Sequence, residues 1–315
     1  MQGSKHSRRA VLAGLGGAGL GAAALAGSLP LRFPHAAQPE EVITRGIPGS
    51  DERLPVIGMG SWITFNVGDN EGLREDRTEV LRSFFERGGA IVDSSPMYGS
   101  SPEVIGYALE RIENDGALFS ASKVWTPLQG AGVEQMEESR AAWGRQRFDL
   151  MQVHNLLNWK GHLETLRRDK EEGRIRYIGI TTSHGRRHEE MEELMRSQPL
   201  DFVQFTYNVL DRRAEERLLP LAADKGLGVI VNRPFRRKEL FRLFQDKPLP
   251  DWAGEIDCAN WAQFFRKFIV SHPAVTCAIP ATSQVEHMHE NMGALTGRLP
   301  DDSQRREMVR YVESL

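Results

Sequence analysis

One stretch of the chain decides its fold: Ile91-Val92-Asp93-Ser94-Ser95-Pro96-Met97-Tyr98-Gly99-Ser100-Ser101. Its apolar start follows Gly88-Gly89 and predicts a short buried strand that ends at Asp93. Pro96 and Gly99 then predict a turn, and apolar residues at helical spacing after the turn predict a helix. An acid at a strand end and a tyrosine in the following loop are common on their own. The recurrence of the same pattern along the chain indicates that this acid and tyrosine belong to a functional site.

The recurring pattern is a short apolar run followed by an amphipathic segment. Most of these runs end about thirty residues apart, which is the length of one strand-helix unit. Their ends are Gly60, Asp93, Lys123, His154, Thr181, Gln204, Asn232 and Pro280. Helices are predicted at residues 77–87, 104–112, 133–143, 162–172, 189–196, 215–225, 286–292 and 303–314. Strands that alternate with helices in this way predict an α/β fold, a (β/α)8 TIM barrel, with its active site at the carboxyl ends of the strands.

Three segments lie outside this repeat. Residues 42–44 and 54–56 flank a turn rich in glycine and proline and predict an N-terminal β-hairpin. Residues 233–256 fill the longest gap and predict a loop that acts as a lid or belt over the strand ends. Residues 1–37 have the composition of a leader, so the predicted division of the chain is a leader, 1–37, and a barrel, 38–315.

The leader is predicted from paired arginines. Ser7-Arg8-Arg9-Ala10-Val11-Leu12 precedes a run rich in glycine and alanine, which resembles a twin-arginine export signal with cleavage near Ala36-Ala37. This resemblance implies the export machinery as a partner, a periplasmic or otherwise exported location and no stable membrane span after cleavage; an uncleaved anchor is the alternative. Within the leader, Gly14-Leu15-Gly16-Gly17-Ala18-Gly19 matches the dinucleotide-binding pattern G-x-G-x-x-G, but no strand precedes it, and we assign it to the leader.

Composition narrows the function further. The chain has 315 residues, 40% of them hydrophobic and 26% charged, and a net charge of −3, and the charged residues before residue 38 are all cations. The remainder is therefore more acidic still, which argues against a nucleic-acid partner. Cys258 and Cys277 are the only cysteines, and we predict two buried free thiols, with a single disulfide as the alternative.

Four residues with complementary chemistry fall at neighbouring strand ends: Asp93, Tyr98, Lys123 and His154. Here the sequence resembles the aldo-keto reductase family over roughly residues 42–310. Residues 93–106 resemble its motif D-T-A-x-x-Y-G-x-S-E-x-x-x-G with one residue inserted before the glutamate, Ser122-Lys123 resembles T/S-K, and residues 149–154 resemble D-L-x-x-x-H. The resemblance implies that NAD(P)H reduces an aldehyde or ketone, a small-molecule carbonyl substrate, to an alcohol, with these four residues as the catalytic set.

Elementary electrostatics supports the same roles. A buried Lys123 is expected to lower the pKa of Tyr98, and Asp93 is expected to offset the burial of Lys123. Tyr98 would then donate a proton to the carbonyl oxygen, and His154 would orient the substrate. The first alternative is a non-catalytic relative that binds the cofactor as a redox sensor or partner subunit, and the intact set argues against it. A metal-dependent barrel hydrolase is set aside because strand one lacks a histidine pair, and no metal site is predicted.

The resemblance also implies where NADP(H) or NAD(H) would bind. The implied residues are Gly60, Ser61, Trp62, Thr181, Thr182, Gln204, Asn232, Arg233, Pro234, Thr282, His287, Glu290 and Asn291. Several of them depart from the family pattern: Thr181-Thr182 replaces Ser-Asn, Asn232 replaces an aromatic residue that stacks on nicotinamide, and Ala281 and His287 replace the Lys and Arg that hold the 2′-phosphate. Arg233, Arg236, Arg237 and Lys238 either clamp the pyrophosphate or form a solvated loop. Trp62, Trp125 and Trp159 are predicted pocket walls for an apolar or ring-bearing substrate.

Overall fold

The computed structural model describes residues 41–113 and 116–315, and the predicted leader lies outside them. Ten strands are described within these ranges. They are β1 Thr44–Gly46, β2 Arg53–Pro55, β3 Met59–Gly60, β4 Ile91–Asp93, β5 Phe119–Val124, β6 Phe148–Val153, β7 Ile175–Thr181, β8 Phe202–Thr206, β9 Gly228–Asn232 and β10 Cys277–Ala278.

Strands β3 to β10 form one parallel sheet in chain order. Backbone hydrogen bonds from the Gly58 amide to the Ala278 carbonyl and from the Gly60 amide to the Pro280 carbonyl, both 2.9 Å, join its first strand to its last. The sheet therefore closes on itself, and the predicted (β/α)8 barrel is confirmed. The register pairs Gly60 with Asp93 and Lys123 with Gln152, which brings successive strand ends to one rim.

The predicted N-terminal hairpin is also confirmed. Its strands β1 and β2 pair antiparallel, Thr44 opposite Pro55, and are shifted by one or two residues from the predicted positions. The hairpin covers the amino-terminal end of the barrel, where Leu54 packs with Phe119 and Phe202. Glu52 accepts a 2.8 Å hydrogen bond from the Tyr177 hydroxyl at the same end. The carboxyl ends of the strands, with the predicted site residues, lie at the opposite end of the barrel.

Ten α-helices alternate with or follow the strands in the described ranges. They are α1 Glu71–Glu86, α2 Ser101–Leu109, α3 Gln129–Ala142, α4 Trp159–Glu171, α5 His188–Ser197, α6 Leu218–Lys225, α7 Glu239–Phe244, α8 Trp261–Val270, α9 Val285–Met292 and α10 Asp302–Ser314. The predicted helices are all present, several with earlier starts, because polar caps and Pro102 allow a helix to begin before its apolar face does. Helices α7 and α8 were not predicted. Among the residues described, no helix is both long and apolar enough to cross a membrane.

Close helix packing fixes the loop that carries Tyr98. A Cβ atom added at Gly106 of α2 would lie 1.7 Å from the carbonyl oxygen of Ala142 in α3, so only glycine permits this approach. Val104, Ile105 and Ala108 are fully buried on the same helix. Helix α2 is thereby held firmly against the barrel, and the loop between β4 and α2 has a fixed end.

Candidate active site

The centre of the candidate site is a buried ion pair between adjacent strands. Lys123, near the end of β5, places its Nζ 2.5 Å from Oδ1 of Asp93 at the end of β4. The same Nζ donates to the Ser94 carbonyl at 2.8 Å. Both charged side chains are almost completely removed from solvent. Each charge therefore depends on the other for compensation.

Two glutamines complete the surroundings of Asp93. Its second oxygen, Oδ2, accepts hydrogen bonds of 3.0 Å from Nε2 of Gln152 and from Nε2 of Gln204. Gln204 was predicted to hold the cofactor, whereas Gln152 was not predicted at all. The only signal for Gln152 is a polar residue within the apolar run of β6, at a position that faces the barrel interior.

The network continues from Gln204 to β9. Asn232 donates through Nδ2 to the Thr182 carbonyl at 2.8 Å and to Oε1 of Gln204 at 3.4 Å. Its Oδ1 accepts a 2.8 Å hydrogen bond from the hydroxyl of Thr206, a residue that sequence reasoning missed. Asn232 thus supports the barrel interior as well as standing where the resemblance implies a cofactor contact.

Tyr98 lies beside this network, in the loop that follows β4. Lys123 Nζ is 5.2 Å from the centre of the Tyr98 ring, and the centre of the His154 ring lies 5.7 Å away, edge-on at 85°. Tyr98 is half-buried, and within the described residues its hydroxyl makes no hydrogen bond. The hydroxyl is therefore available to a bound substrate, while its neighbours hold the ring in place.

The pKa directions differ in one respect from the prediction. The pKa of Tyr98 lies above its ordinary value, because burial and the nearby Asp93 carboxylate both disfavour the phenolate. The predicted lowering by Lys123 is therefore wrong, since burial and the Asp93 charge outweigh any effect of a lysine that is itself paired with Asp93. Burial lowers the pKa of Lys123, against the opposing effect of Asp93. Burial, and then the Lys123 charge, hold the pKa of His154 well below its usual range.

Among the predicted cofactor residues, Thr181 and Thr182 lie side by side at the end of β7. The Thr181 hydroxyl accepts a 3.1 Å hydrogen bond from the Asn155 amide. The Thr182 hydroxyl is buried, and the described part of the chain offers it no partner. An orphaned buried hydroxyl at the rim fits a ligand that brings its own polar group, such as the carboxamide of a nicotinamide. The amide of Gln204, in contrast, is already directed at Asp93.

The predicted basic loop follows β9 and reaches across the rim. Arg233, Arg236, Arg237 and Lys238 all have positive φ angles, a region that favours glycine. Arg236 pairs with Asp211 at 3.1 Å, and the Arg237 guanidinium lies 4.2 Å from the centre of the Trp62 ring. Within residues 41–113 and 116–315, neither Arg233 nor Arg237 has a carboxylate at ion-pair distance. These two guanidinium groups fit an anionic ligand such as a pyrophosphate. Pro234, the next residue after Arg233, is buried.

The remaining predicted cofactor residues follow the first and last strands of the barrel, which are neighbours because the sheet closes. Gly60 ends β3, and the Ser61 hydroxyl donates to the Asp93 carbonyl at 3.1 Å. Thr282 follows β10 and is buried, while His287 and Glu290 are exposed on α9.

Asn291 of α9 is buried against a residue that was not predicted, Arg266 of α8. Arg266 is fully buried and donates to the Asn291 side-chain oxygen and, at 2.6 Å, to the Glu290 carbonyl. The residue types carry no signal for this role, because an arginine on a helix is usually solvated.

The three predicted pocket tryptophans differ in exposure. Trp62 is half-buried beneath Arg237, and Trp125 is 39% exposed just after β5. Trp159 begins α4 and packs partly against the core, so it serves the fold as well as the rim. In the described ranges, no three His, Cys, Asp or Glu side chains converge on a metal position. Cys258 and Cys277 are both free and buried.

Comparison with known proteins agrees with this geometry. The sequence model of the aldo/keto reductase family matches residues 56–307. The chain is 25% identical over 255 residues to the methylglyoxal reductase YeaE of Escherichia coli, covering 78% of this chain and 87% of that protein.

Solved structures show the same fold. An aldo/keto reductase from Klebsiella pneumoniae in complex with NADP and acetate superposes with a TM-score of 0.72 at 23% identity, covering 84% of this chain and 94% of that one. The aldo-keto reductase AKR11C1 from Bacillus halodurans in its holo form gives 0.71 at 20% identity, covering 86% and 96%. Because the family model spans most of the barrel, including all four strand-end residues, this chain belongs to the aldo/keto reductase family and is an oxidoreductase.

Proposed function

We propose that the protein reduces an aldehyde or ketone to an alcohol, with NADPH or NADH as the hydride donor and Tyr98 as the proton donor. The observation that carries the proposal is the Tyr98 hydroxyl, which is free of hydrogen bonds within the described chain and flanked by Lys123 and His154. The bound nicotinamide would supply a hydride to the carbonyl carbon. The carbonyl electrons then move to the oxygen, which takes the proton of Tyr98.

The raised pKa of Tyr98 fits the role of a resting acid. Its proton stays bound at neutral pH, because the folded protein disfavours the phenolate. An alkoxide that forms on the substrate is a stronger base than phenolate and can remove the proton. The phenolate that remains lies near the Lys123 cation, and a proton from solvent restores the hydroxyl.

Residues of this chain would hold the cofactor at both ends. The Thr182 hydroxyl would hydrogen-bond the carboxamide, and Arg233 and Arg237 would pair with the pyrophosphate. Glu290 and Asn291 would contact the adenosine end, where Arg266 fixes Asn291. The Escherichia coli relative is named a methylglyoxal reductase, so a small 2-oxoaldehyde is the first substrate to test.

Replacement of Tyr98 by Phe tests the proton donor. We expect kcat for carbonyl reduction to fall by about 10²–10⁴-fold, because only the transferred proton is lost, while the Kd for NADPH stays the same. Tyr107→Phe is the matched control, since Tyr107 lies on α2 and its hydroxyl donates to Glu75, away from the site. Activity of Tyr98→Phe within about tenfold of the wild-type enzyme would show that another group donates the proton.

We also propose that residues 1–37 direct export through the twin-arginine pathway. The support is the pair Arg8-Arg9 ahead of a glycine- and alanine-rich run. In a bacterial host with this pathway, replacement of both arginines by lysine should leave the protein in the cytoplasmic fraction. Arg32→Lys, in the same segment, should be exported normally. Periplasmic recovery of the double lysine variant would contradict the proposal.

A further inference from the structure

Ser95 occupies an unusual place next to the candidate catalytic residues. It follows β4, two positions after Asp93, and is completely buried. Its Oγ lies 2.9 Å from Nδ1 of His154. The resembled family motif has alanine at this position, so the hydroxyl is a feature of this chain and not a requirement of the barrel.

The direction of this hydrogen bond follows from the partners that Ser95 has. Its Oγ accepts from the Met97 amide at 3.4 Å, which uses a lone pair and leaves the hydroxyl hydrogen without an acceptor. Within the described residues, His154 Nδ1 is the only acceptor at hydrogen-bond distance from this hydroxyl. If Nδ1 carried a hydrogen instead, the buried hydroxyl hydrogen would be unsatisfied, which is costly in the interior.

From this geometry we infer that Ser95 is a positioning residue, which donates to Nδ1 of His154 and so fixes the tautomer that carries its hydrogen on Nε2. The inference rests on the proposed carbonyl reduction for its catalytic meaning. An Nε2–H group can donate to a carbonyl oxygen, whereas a bare Nε2 cannot. Ser95 would therefore hold His154 ready as a hydrogen-bond donor before substrate arrives.

The groups around His154 disfavour its protonated form, so the tautomer of the neutral ring decides which nitrogen can donate a hydrogen bond. Lys123 from β5 lies close enough to disfavour a second positive charge, and the ring of Tyr98 stands edge-on from the loop after β4. His154 is thus neutral under ordinary conditions, and only one of its nitrogens carries hydrogen. Without Ser95, no group among the described residues at hydrogen-bond distance from Nδ1 would favour one tautomer of His154 over the other.

Long-range 1H–15N NMR spectra test the inference directly in the wild-type protein. The chain has nine histidines, so the His154 signals are assigned by their loss in His154→Asn. We expect the Nε2–H tautomer for the wild type and a mixture of tautomers for Ser95→Ala. The Nδ1–H tautomer in the wild type, or an unchanged single tautomer in Ser95→Ala, would overturn the inference.

Kinetics provides the second readout. Ser95→Ala should lower kcat about twofold to tenfold, the effect of one ordinary hydrogen bond, with the KM for NADPH unchanged. Ser95→Thr, which keeps the hydroxyl, should restore the Nε2–H tautomer and most of the activity. Ser139→Ala is the matched control, because it removes a buried 2.9 Å hydroxyl hydrogen bond from α3, far from the site, and should leave kcat unchanged.

The inference and the proposed function fail in different ways. If Tyr98→Phe remains active, the proposed proton donor is wrong, but the tautomer of His154 is still measured and still decides the role of Ser95. If Ser95→Ala loses activity while His154 keeps its tautomer, Ser95 acts through packing alone and the inference is wrong. A Ser95→Ala variant that does not fold leaves the wild-type spectrum to decide.

Discussion

Replacement of Asp93 by Asn should strongly destabilise the barrel. The introduced asparagine would keep the shape of the side chain but lose the charge that compensates Lys123, which is fully buried and 2.5 Å away. Its amide would also turn a donor toward Gln152 or Lys123, where the carboxylate now accepts. Removal of one partner from a buried ion pair costs about 3–5 kcal/mol in the free energy of unfolding. We expect a loss of this size.

Urea unfolding followed by circular dichroism measures the effect. The midpoint of the transition should fall for Asp93→Asn with little change in the slope, because the surface exposed on unfolding is the same. Asp69→Asn is the matched control. Asp69 also lies 2.5 Å from its partner, Arg74, but its side chain is 98% exposed, so the urea midpoint of this variant should equal that of the wild type.

A second substitution separates charge from packing. If the loss comes from the uncompensated lysine, Asp93→Asn combined with Lys123→Met should recover a large part of it, since no buried charge then remains in the pair. If Asp93→Asn shifts the midpoint no more than Asp69→Asn does, the buried pair is not the source of stability that the geometry indicates. A double variant less stable than Asp93→Asn would contradict the same reasoning.

Two further predictions concern pH and cofactor choice. The pKa of His154 is below its ordinary value in the folded protein, so below about pH 6.5 the unfolded chain binds more protons than the folded one. The free energy of unfolding should therefore fall as pH drops through that range. Urea midpoints measured between about pH 8 and 5 should fall less steeply for His154→Asn than for the wild type. Because Ala281 and His287 stand in place of the Lys and Arg that usually hold the 2′-phosphate, NADH should bind comparably to NADPH; fluorescence titration at about pH 7.5 checks this, and a preference for NADPH of about a hundredfold would contradict it.

The barrel and the four catalytic candidates could be predicted because repetition carries the information. Each apolar run ends near a polar residue, and parallel strands place all these ends at one rim. Asp93, Lys123 and His154 therefore meet although they are far apart in the chain. The hairpin was predictable for a local reason, the glycine and proline in its turn.

Other features could not be predicted, because their partners are distant in sequence. Gln152 contacts Asp93 and Ser95 contacts His154 only in the folded chain, so the sequence alone does not single out either residue. Helix α8, in contrast, has a signal in the sequence that the prediction missed, because Gln263, Arg266 and Lys267 recur at helical spacing among apolar residues. The pKa of Tyr98 was predicted with the wrong sign because the prediction counted the Lys123 charge, but neither the burial of the phenol nor the effect of the Asp93 charge on it.

Apolar side chains fill one end of the barrel, and hydrogen-bonded polar side chains fill the other. Near the hairpin, Phe119, Phe202 and the ring of Tyr177 pack together. Near the carboxyl ends of the strands, a chain of hydrogen bonds reaches from Asp93 on β4 through Gln204 on β8 to Asn232 on β9.

An apolar filling could not hold Lys123 charged beside Tyr98, whereas a carboxylate whose two oxygens accept three hydrogen bonds can. Dispersion and hydrophobic burial in the apolar layer stabilise the barrel. This stability offsets the free-energy cost of removing the charges at the rim from water. A substitution that weakens the network should for this reason disturb both folding and proton transfer, while one in the apolar layer should disturb folding alone.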